Sequence, residues 1–336
     1  MNNVQSLLTS LSQIKPRELD IPSDSRKALR RLLDVAEYNL EICRTALDRV
    51  LMMCNKAPQQ TILVDYCGGA GVLSFLAKMS GFGRVIYVDS SPDAVKTVHE
   101  LSRRLDVAPD VVIEGGSEML ARWCRDKNIV PDALVSVDVI QQVYVLDELF
   151  ADIHSMAPRI KMVFTTISNP FNKKTVRRLH KAMDRNEKGH GLTKGYRQMR
   201  RDYIHKIHSD MPDRLLDFWA DNTRGLKYDD VARAIEAQAP NLLLDPHNTC
   251  DPATGLWTDR VMPVDDYSQL LQPYGWRLLV LPGRCNVHCH GPKAWIRRRR
   301  NKRIDRAPMG EPDGMGERRR MRRALKVAPF IYLIIE

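Results

Sequence analysis

The chain contains 336 residues, of which 43% are hydrophobic and 28% are charged. This length allows one large domain or two ordinary ones, and the apolar fraction is enough for a sizeable core. No apolar run is long enough to cross a bilayer, and the first residues lack the basic-then-apolar order of a secretory signal. We therefore expect a cytoplasmic protein whose seven cysteines are free thiols rather than a disulfide framework.

The first 57 residues carry a helical pattern. Ser23, Asp24 and Ser25 are residue types that cap helix starts, and apolar residues recur at helical spacing between positions 28 and 51. We predict an N-terminal helical cap over residues 1–57. It either covers a ligand or packs against the edge of the sheet that follows.

Residues 58–169 contain five apolar runs separated by helical patterns. The runs are rich in Val and Ile, and several are apolar on both faces, as buried parallel strands should be. They lie at 62–65, 85–89, 111–114, 133–138 and 161–166. The pattern predicts a Rossmann-like α/β domain with a mostly parallel sheet.

Residues 170–265 follow an Asn-Pro break and are too long for a simple connection between strands. Their charged helical patches predict an inserted lid or acceptor-binding subdomain, because open α/β sheets bind ligands at the carboxyl ends of their strands. Residues 266–336 return to the sheet, with a helix over 264–272 and strands over 276–281 and 329–335. The sequence thus divides into four predicted parts.

Much of the net charge of +11 lies in one basic segment, which begins at Arg297 and ends at Lys326. This segment holds 13 Lys and Arg against four Asp and Glu, and its middle is rich in Pro and Gly, which predicts a basic loop. A solvated loop is our first interpretation, and an anionic membrane surface or acceptor is the second. Nucleic acid ranks third, because Trp295 is the only aromatic residue near the segment before Phe330.

A glycine-rich turn follows the first apolar run and lies between two acids. The run ends at Asp65, the turn contains Gly68, Gly69 and Gly71, and the second run ends at Asp89. Glycines let a turn pass close under a ligand, and an acid in the position of Asp89 can bind both hydroxyls of a ribose. Asp65 could hold a cationic ligand group or fix the turn through backbone N–H groups. It would repel a pyrophosphate, which favours S-adenosylmethionine over a dinucleotide.

The segment from Asp65 to Gly71 resembles the D-x-G-x-G-x-G motif of class I S-adenosylmethionine-dependent methyltransferases, with Cys67 in place of the first glycine. The closest likeness is to the branch that includes ubiquinone-biosynthesis O-methyltransferases. The resemblance implies a Rossmann-like seven-stranded methyltransferase fold, a mostly parallel sheet with an antiparallel last strand, here with a helical insertion. A dehydrogenase would need G-x-G-x-x-G, and Ser74 stands where its final glycine would be.

Later motifs of the same family match in part. Gly116 stands where an acid often contacts adenine, so Ser117 or Glu118 is expected to replace that contact. Asp138 matches the acid after strand four, whereas two glutamines replace the Glu-His pair that follows it. The cofactor-binding residues that the resemblance implies are Asp65, Cys67, Gly68, Gly69, Gly71, Asp89, Ser90, Ser117 and Asp138.

Catalysis requires alignment of the acceptor, and an oxygen or nitrogen acceptor can also need a base. We expect Asp138 near the reacting centre and name His190, within Gly-His-Gly, as a candidate base. His180 and His247 are further candidates, although for each of the three histidines we favour a surface residue over a base. Tyr196 and Tyr203 could orient an acceptor or pack the insertion.

Cys285, His288, Cys289 and His290 suggest a metal site, to which His247 and Cys250 could add ligands. The spacing matches no common pattern, so we predict thiols without a metal.

The sequence therefore predicts O-methylation of a small-molecule, lipid-linked or glycan acceptor. An RNA methyltransferase and a cofactor-binding regulator without catalysis are the alternatives, and the basic segment could bring the protein to the periphery of a membrane.

Overall fold

The computed structural model describes residues 2–191, 193–288 and 292–336. The chain forms two compact units. The first comprises Met1–Val139, Asp147–Thr166 and Ser268–Glu336, and the second comprises Ile140–Leu146 and Ile167–Tyr267. Among the described residues, no helix combines the length and the apolar character needed to cross a membrane.

A seven-stranded sheet forms the centre of the first unit. Its strands are β1 (Ile62–Tyr66), β2 (Arg84–Asp89), β3 (Val111–Glu114), β4 (Ala133–Val137), β5 (Lys161–Thr166), β8 (Leu278–Pro282) and β9 (Ile331–Ile335). Strands β6 (Gly189–His190) and β7 (Thr193–Lys194) form a separate two-stranded sheet. The sheet order is β3-β2-β1-β4-β5-β9-β8. Only β9 runs antiparallel to its neighbours in this sheet. The predicted fold is therefore confirmed.

The apolar runs became strands because the sheet is covered on both faces. In β1 and β2 the side chains of Leu63, Val64, Val85 and Ile86 have no exposed surface. Side chains buried on both faces account for the continuous apolar runs in the sequence. The register pairs Asp65 with Tyr87, which brings the ends of β1 and β2 together.

Fourteen α-helices occur in the described part of the chain. In chain order they are α1 (Asn2–Ser12), α2 (Ser23–Leu33), α3 (Ala36–Cys54), α4 (Val72–Met79), α5 (Pro92–Leu105), α6 (Ser117–Lys127), α7 (Leu146–Met156), α8 (Lys173–Lys188), α9 (Tyr196–Ile207), α10 (Asp213–Asn222), α11 (Tyr228–Glu236), α12 (Val264–Leu271), α13 (Pro292–Ile304) and α14 (Gly314–Leu325). The helical pattern over 28–51 is divided between α2 and α3 at Asp34 and Val35.

The prediction of a basic loop was wrong for most of the basic segment, because its two arginine-rich runs form α13 and α14. Arginine is a good helix former, and the two helices bury Ile304 and Ala324 with Cys285 and Ala328 in one apolar cluster. The buried Asn301 joins this cluster to the chain after β8. Its side chain accepts a hydrogen bond from Cys285 N at 2.7 Å and donates one to Cys285 O at 3.0 Å.

The second unit has its own core, formed by Ile204, Leu216, Trp219, Ala220, Val231 and Ile235. A buried ion pair between Arg200 and Glu187 lies beside it. Arg200 Nε also donates to Ala220 O at 3.0 Å, and the Thr249 hydroxyl donates to Glu187 at 2.6 Å. These hydrogen bonds compensate for removing both charges from water.

Candidate functional site

The glycine-rich turn after β1 takes up left-handed backbone conformations. Cys67, Gly69 and Gly71 have φ values of 53°, 55° and 75°. A Cβ atom at Gly68 would lie 2.7 Å from the Asp65 carboxylate and from the Tyr87 ring, and one at Gly71 would lie 2.5 Å from Val98. A Cβ at Gly69 would meet nothing within 4 Å. The turn is therefore packed tightly underneath and open above Gly69.

Cys67 occupies the position at which the family motif has glycine. It adopts the left-handed conformation that glycine takes without penalty, so the backbone path of the turn is kept despite the replacement. Burial raises the pKa of its thiol to about 12. Cys67 is therefore a neutral thiol rather than a reactive thiolate.

Asp65 lies beneath the turn and is 2% exposed. Its Oδ2 accepts hydrogen bonds from Ser74 N at 3.0 Å and from Ser74 Oγ at 2.7 Å, which fixes the first turn of α4. Of the two roles considered for this acid, the geometry favours fixing the turn. Burial raises the pKa of Asp65 to about 7, although the hydrogen bonds from Ser74 act in the opposite direction.

Asp89 ends β2 and braces the turn from the other side. Its Oδ2 accepts from Gly69 N at 2.9 Å, and its Oδ1 accepts from Ser91 N at 2.9 Å. Each carboxylate oxygen has two lone pairs, so both retain capacity for a further donor such as a ribose hydroxyl. Ser90, which lies between Asp89 and Ser91 in the sequence, is exposed. Ser91 caps α5 by accepting from Ala94 N at 3.3 Å.

The ends of β3 and β4 carry the remaining predicted site residues. A Cβ at Gly116 would meet nothing within 4 Å. Ser117 Oγ donates to Asp152 at 2.7 Å, and Tyr66 is also hydrogen bonded to Ser117. Asp138 has a φ of 61°, and its N–H is held by Thr165, with 3.1 Å to the backbone oxygen and 3.0 Å to the hydroxyl.

Sequence reasoning missed three residues that shape the site. Tyr87 donates its hydroxyl hydrogen bond to Gly69 O at 2.7 Å, although its place in an apolar strand suggested a core residue. Ser74 and Asp152 hold Asp65 and Ser117 as described above. A polar residue inside a largely apolar element was the available signal for Tyr87 and Ser74, whereas Asp152 lies in a helix with several other polar residues and gave no such signal.

Helix α2 lies next to the glycine-rich turn. A cavity of about 380 Å³ separates them, and α2, the turn and the start of α5 line it. Ala28 and Leu32 face it from α2, and Gly69 and Ala70 face it from the turn. Helix α2 of the N-terminal segment therefore borders the predicted ligand site within the first unit.

The candidate histidines lie in the second unit. His180 Nε2 is 2.8 Å from Asp245, and His247 Nδ1 is 3.1 Å from Asp184. The two rings stack with their centroids 4.0 Å apart. His190 is exposed in β6. Of the two candidate tyrosines, Tyr203 stacks on Tyr228 and Tyr196 is partly buried.

Two of the suggested metal ligands, Cys289 and His290, lie outside the described residues. The Cys285 side chain is buried, and His288 lies 2.9 Å from Glu37 and 3.3 Å from Glu41. His247 is engaged with Asp184 instead, and Cys250 is buried. In the described part of the chain, no group of three or more His, Cys, Asp or Glu is arranged to hold a metal ion.

S-adenosylmethionine fits the residues at these strand ends. The cofactor has a ribose for the carboxylate of Asp89, and the open space above Gly69 and Gly116 lets a ligand approach the backbone closely.

No protein-family model matches the chain, and no curated protein matches it either. The fold is similar to that of several solved structures. An S-adenosylmethionine-dependent methyltransferase from Agrobacterium tumefaciens aligns at 16% identity and a TM-score of 0.30, over 35% of this chain and 42% of that protein. This chain therefore spans less than half of that protein's length.

Two further structures align more extensively. A protein from Listeria monocytogenes, described as a proposed S-adenosylmethionine-dependent methyltransferase, aligns at 11% identity and a TM-score of 0.38, over 85% of this chain and 96% of its own. A proposed RNA methyltransferase from Pyrococcus horikoshii aligns at 16% identity and a TM-score of 0.32, over 55% and 81%. At such identities and scores no activity is transferred, and the fold assignment rests on the strand order in this chain.

Proposed function

We propose that the chain is a class I S-adenosylmethionine-dependent methyltransferase. The observation that carries the proposal is the position of Asp65, the glycine-rich turn and Asp89 at the carboxyl ends of two adjacent central strands. The antiparallel β9 between β5 and β8 supports it, because the dinucleotide-binding fold has strand order 3-2-1-4-5-6 in a mostly parallel sheet.

Each residue has a distinct role in this proposal. Asp89 binds the ribose hydroxyls, and the backbone at Gly69 and Gly71 approaches the methionine end. Asp65 acts through Ser74 by holding the turn in place. Gly116 and Ser117 border the adenine, and Asp138 lies near the transferred methyl group. The resemblance to class I methyltransferases implies these assignments, and the positions of the residues at adjacent strand ends support them.

When bound, S-adenosylmethionine supplies a methyl group already activated for displacement. The protein has to align the acceptor and exclude water. We propose an oxygen acceptor on a small molecule, a lipid-linked intermediate or a glycan, in keeping with the resemblance to ubiquinone-biosynthesis O-methyltransferases. Asp138 is the proposed proton acceptor, with His190 as the second candidate. A loss of turnover in Asp138→Asn that exceeds its loss of S-adenosylmethionine affinity would support the first assignment.

The test of the proposal is calorimetric titration with S-adenosylmethionine, S-adenosylhomocysteine and NAD. We expect micromolar binding of the two sulfur compounds and none of NAD. Asp89→Ala is expected to weaken S-adenosylmethionine binding more than tenfold, since it removes charge-assisted hydrogen bonds of about 1.5–3 kcal/mol each. Asp126→Asn, on the exposed surface of α6, is the control and should bind normally.

Two results would contradict the proposal. Failure of the wild-type protein to bind either sulfur compound would remove the cofactor assignment. Undiminished binding by a folded Asp89→Ala protein would remove the ribose site from β2. Tight binding without turnover on any extract would favour the cofactor-binding regulator, an alternative that Cys67 and the two glutamines after β4 keep open.

The basic segment supports a second element of the proposal, association with an anionic membrane. Within the described residues, ten of its cations form no salt bridge: Arg298, Arg299, Lys302, Arg303, Arg306, Arg318, Arg319, Arg322, Arg323 and Lys326. Trp295 and Ile296 are 63% and 46% exposed on α13, and Met315 is 89% exposed on α14. Exposed apolar side chains among unpaired cations favour an anionic bilayer surface over RNA as the partner.

A further inference from the structure

A second cavity lies in the first unit, on a different set of elements from the glycine-rich turn. Helix α3, strands β8 and β9, and the end of α13 with the following loop enclose about 290 Å³. Its apolar walls include Ile42, Leu281, Ile304 and the rings of Phe330 and Tyr332. This volume is at the lower end of the range for small-molecule sites. None of the residues proposed to bind S-adenosylmethionine lines it.

Arg49 is the unusual residue of this cavity. Its Nε is buried and has no hydrogen-bond partner, and its guanidinium lies 5.7 Å from the centroid of the Tyr332 ring. Arg49 forms no ion pair with any acid among the described residues. Leaving a buried donor without a partner costs about 1–3 kcal/mol. Nη1 and Nη2 of Arg49 are not buried in this way and form no hydrogen bond among the described residues, so they are the donors that a ligand in the cavity can reach.

The other charged groups around the cavity are already paired. Arg284 lies 3.3 Å from Asp305, and Arg44 lies 3.6 Å from Asp48. Glu41, also in the lining, lies 3.3 Å from His288. Arg49 is therefore the cation left for a ligand. Because Glu41 and Asp305 also line the cavity, a doubly charged phosphate would be repelled, and a single negative charge fits best.

We propose that this cavity binds a small organic monocarboxylate with a flat apolar body. Arg49 presents its guanidinium to the carboxylate, an arrangement suited to two parallel hydrogen bonds. The apolar body packs among Phe330, Tyr332 and Ile42. The site is separate from the proposed cofactor site, so its ligand is a second one and not part of S-adenosylmethionine.

The experiment measures binding of 2-naphthoate to the full chain by calorimetry, with 2-naphthalenemethanol and 2-naphthyl phosphate as comparison probes. We expect 2-naphthoate to bind at least tenfold more tightly than either. Arg49→Met keeps most of the apolar stem and is expected to lose at least tenfold in affinity for 2-naphthoate. Arg103→Met, on the exposed surface of α5, is the matched control and should bind as the wild type does.

Folding and cofactor binding are checked separately. Because Arg49→Met removes a buried unpaired donor, its melting temperature should equal or exceed that of the wild type. Its S-adenosylmethionine affinity should not change. Absence of 2-naphthoate binding at millimolar concentration, or equal binding by a folded Arg49→Met protein, would overturn the proposal. Tighter binding of 2-naphthyl phosphate would overturn the preference for a single charge. None of these outcomes bears on the cofactor assignment.

Discussion

At the scale of residues, the glycine-rich turn separates two kinds of glycine. Gly71 combines a φ of 75° with a Cβ position 2.5 Å from Val98, whereas Gly69 combines a φ of 55° with open space. The first glycine is required by packing below the turn. The second is favoured by its left-handed backbone and leaves the space above the turn open to a ligand. The sequence predicted the turn but could not tell these two requirements apart.

Alanine at these two positions should therefore have different effects. Gly69→Ala should reduce stability by about 1–2 kcal/mol, the cost of a left-handed L-residue, and should weaken S-adenosylmethionine binding severalfold. Gly71→Ala should reduce stability by more, because its Cβ also collides with Val98. Urea unfolding and calorimetric titration of both variants test this. The prediction would be contradicted if Gly71→Ala lost more S-adenosylmethionine affinity, relative to its loss of stability, than Gly69→Ala does.

The paired histidines show why some side-chain contacts could not be predicted from the sequence. His180 and Asp245 are 65 positions apart, and His247 and Asp184 are 63 apart. No local pattern connects residues so distant in sequence. The prediction of His190 as a base rested on neighbouring glycines alone and stays a prediction.

At the scale of elements, the five parallel strands were predictable and the basic helices were not. Apolar runs bounded by turn residues mark buried strands clearly, and the observed bounds differ from the predicted ones by one residue at most in this part of the sheet. In residues 297–326 the charge obscured the few apolar positions that matter. Ile304 and Ala324 become informative only once α13 and α14 pack together.

This helical structure changes how the membrane proposal is tested. Deleting the segment would remove part of the apolar cluster at Ile304 and Ala324, so substitution of surface residues is preferable. Combined Arg298→Gln, Arg299→Gln and Arg303→Gln should weaken binding to vesicles of phosphatidylcholine with phosphatidylglycerol by about 3 kcal/mol, at about 1 kcal/mol for each cation. Trp295→Ala should weaken it further. Co-sedimentation at 0.1 M salt is the measurement.

The matched control replaces three exposed cations of α6, Arg122, Arg125 and Lys127, by Gln. It should bind these vesicles almost as the wild type does. Equal loss in both triple variants would indicate a general charge effect rather than a docking surface. Binding to duplex RNA with a steep salt dependence, and none to vesicles, would replace the membrane with RNA as the partner.

At the scale of the whole molecule, the buried acid under the turn links the site to overall stability. The pKa of Asp65 is raised to about 7 by burial, whereas an aspartate in the unfolded chain titrates near 3.9. Folding therefore takes up a proton between about pH 4 and pH 7. The contribution of Asp65 to the free energy of unfolding is complete below this pH range and is lost as the pH rises through it.

This linkage predicts a pH-dependent difference from Asp65→Asn. The free energy of unfolding of the wild type, relative to that of the variant, should fall by about 2 kcal/mol between pH 5 and pH 7 and then level off. Urea unfolding at several pH values measures it, with Asp126→Asn as the control for an exposed carboxylate. A relative stability that rises with pH would mean that Asp65 is charged in the folded protein at pH 5.

The place of β9 has a consequence for the order in which the protein folds. This strand is the last of the sheet along the chain, yet it lies between β5 and β8. During synthesis, the β5 edge and the whole of β8 stay unpaired until Ile331–Ile335 has left the ribosome, some 165 residues after β5. A nascent chain at that stage presents open apolar strand edges, which are prone to aggregation. The protein should therefore depend on chaperones late in its synthesis, and the two basic helices that precede β9 would delay closure of the sheet while adding charge beside the exposed edge.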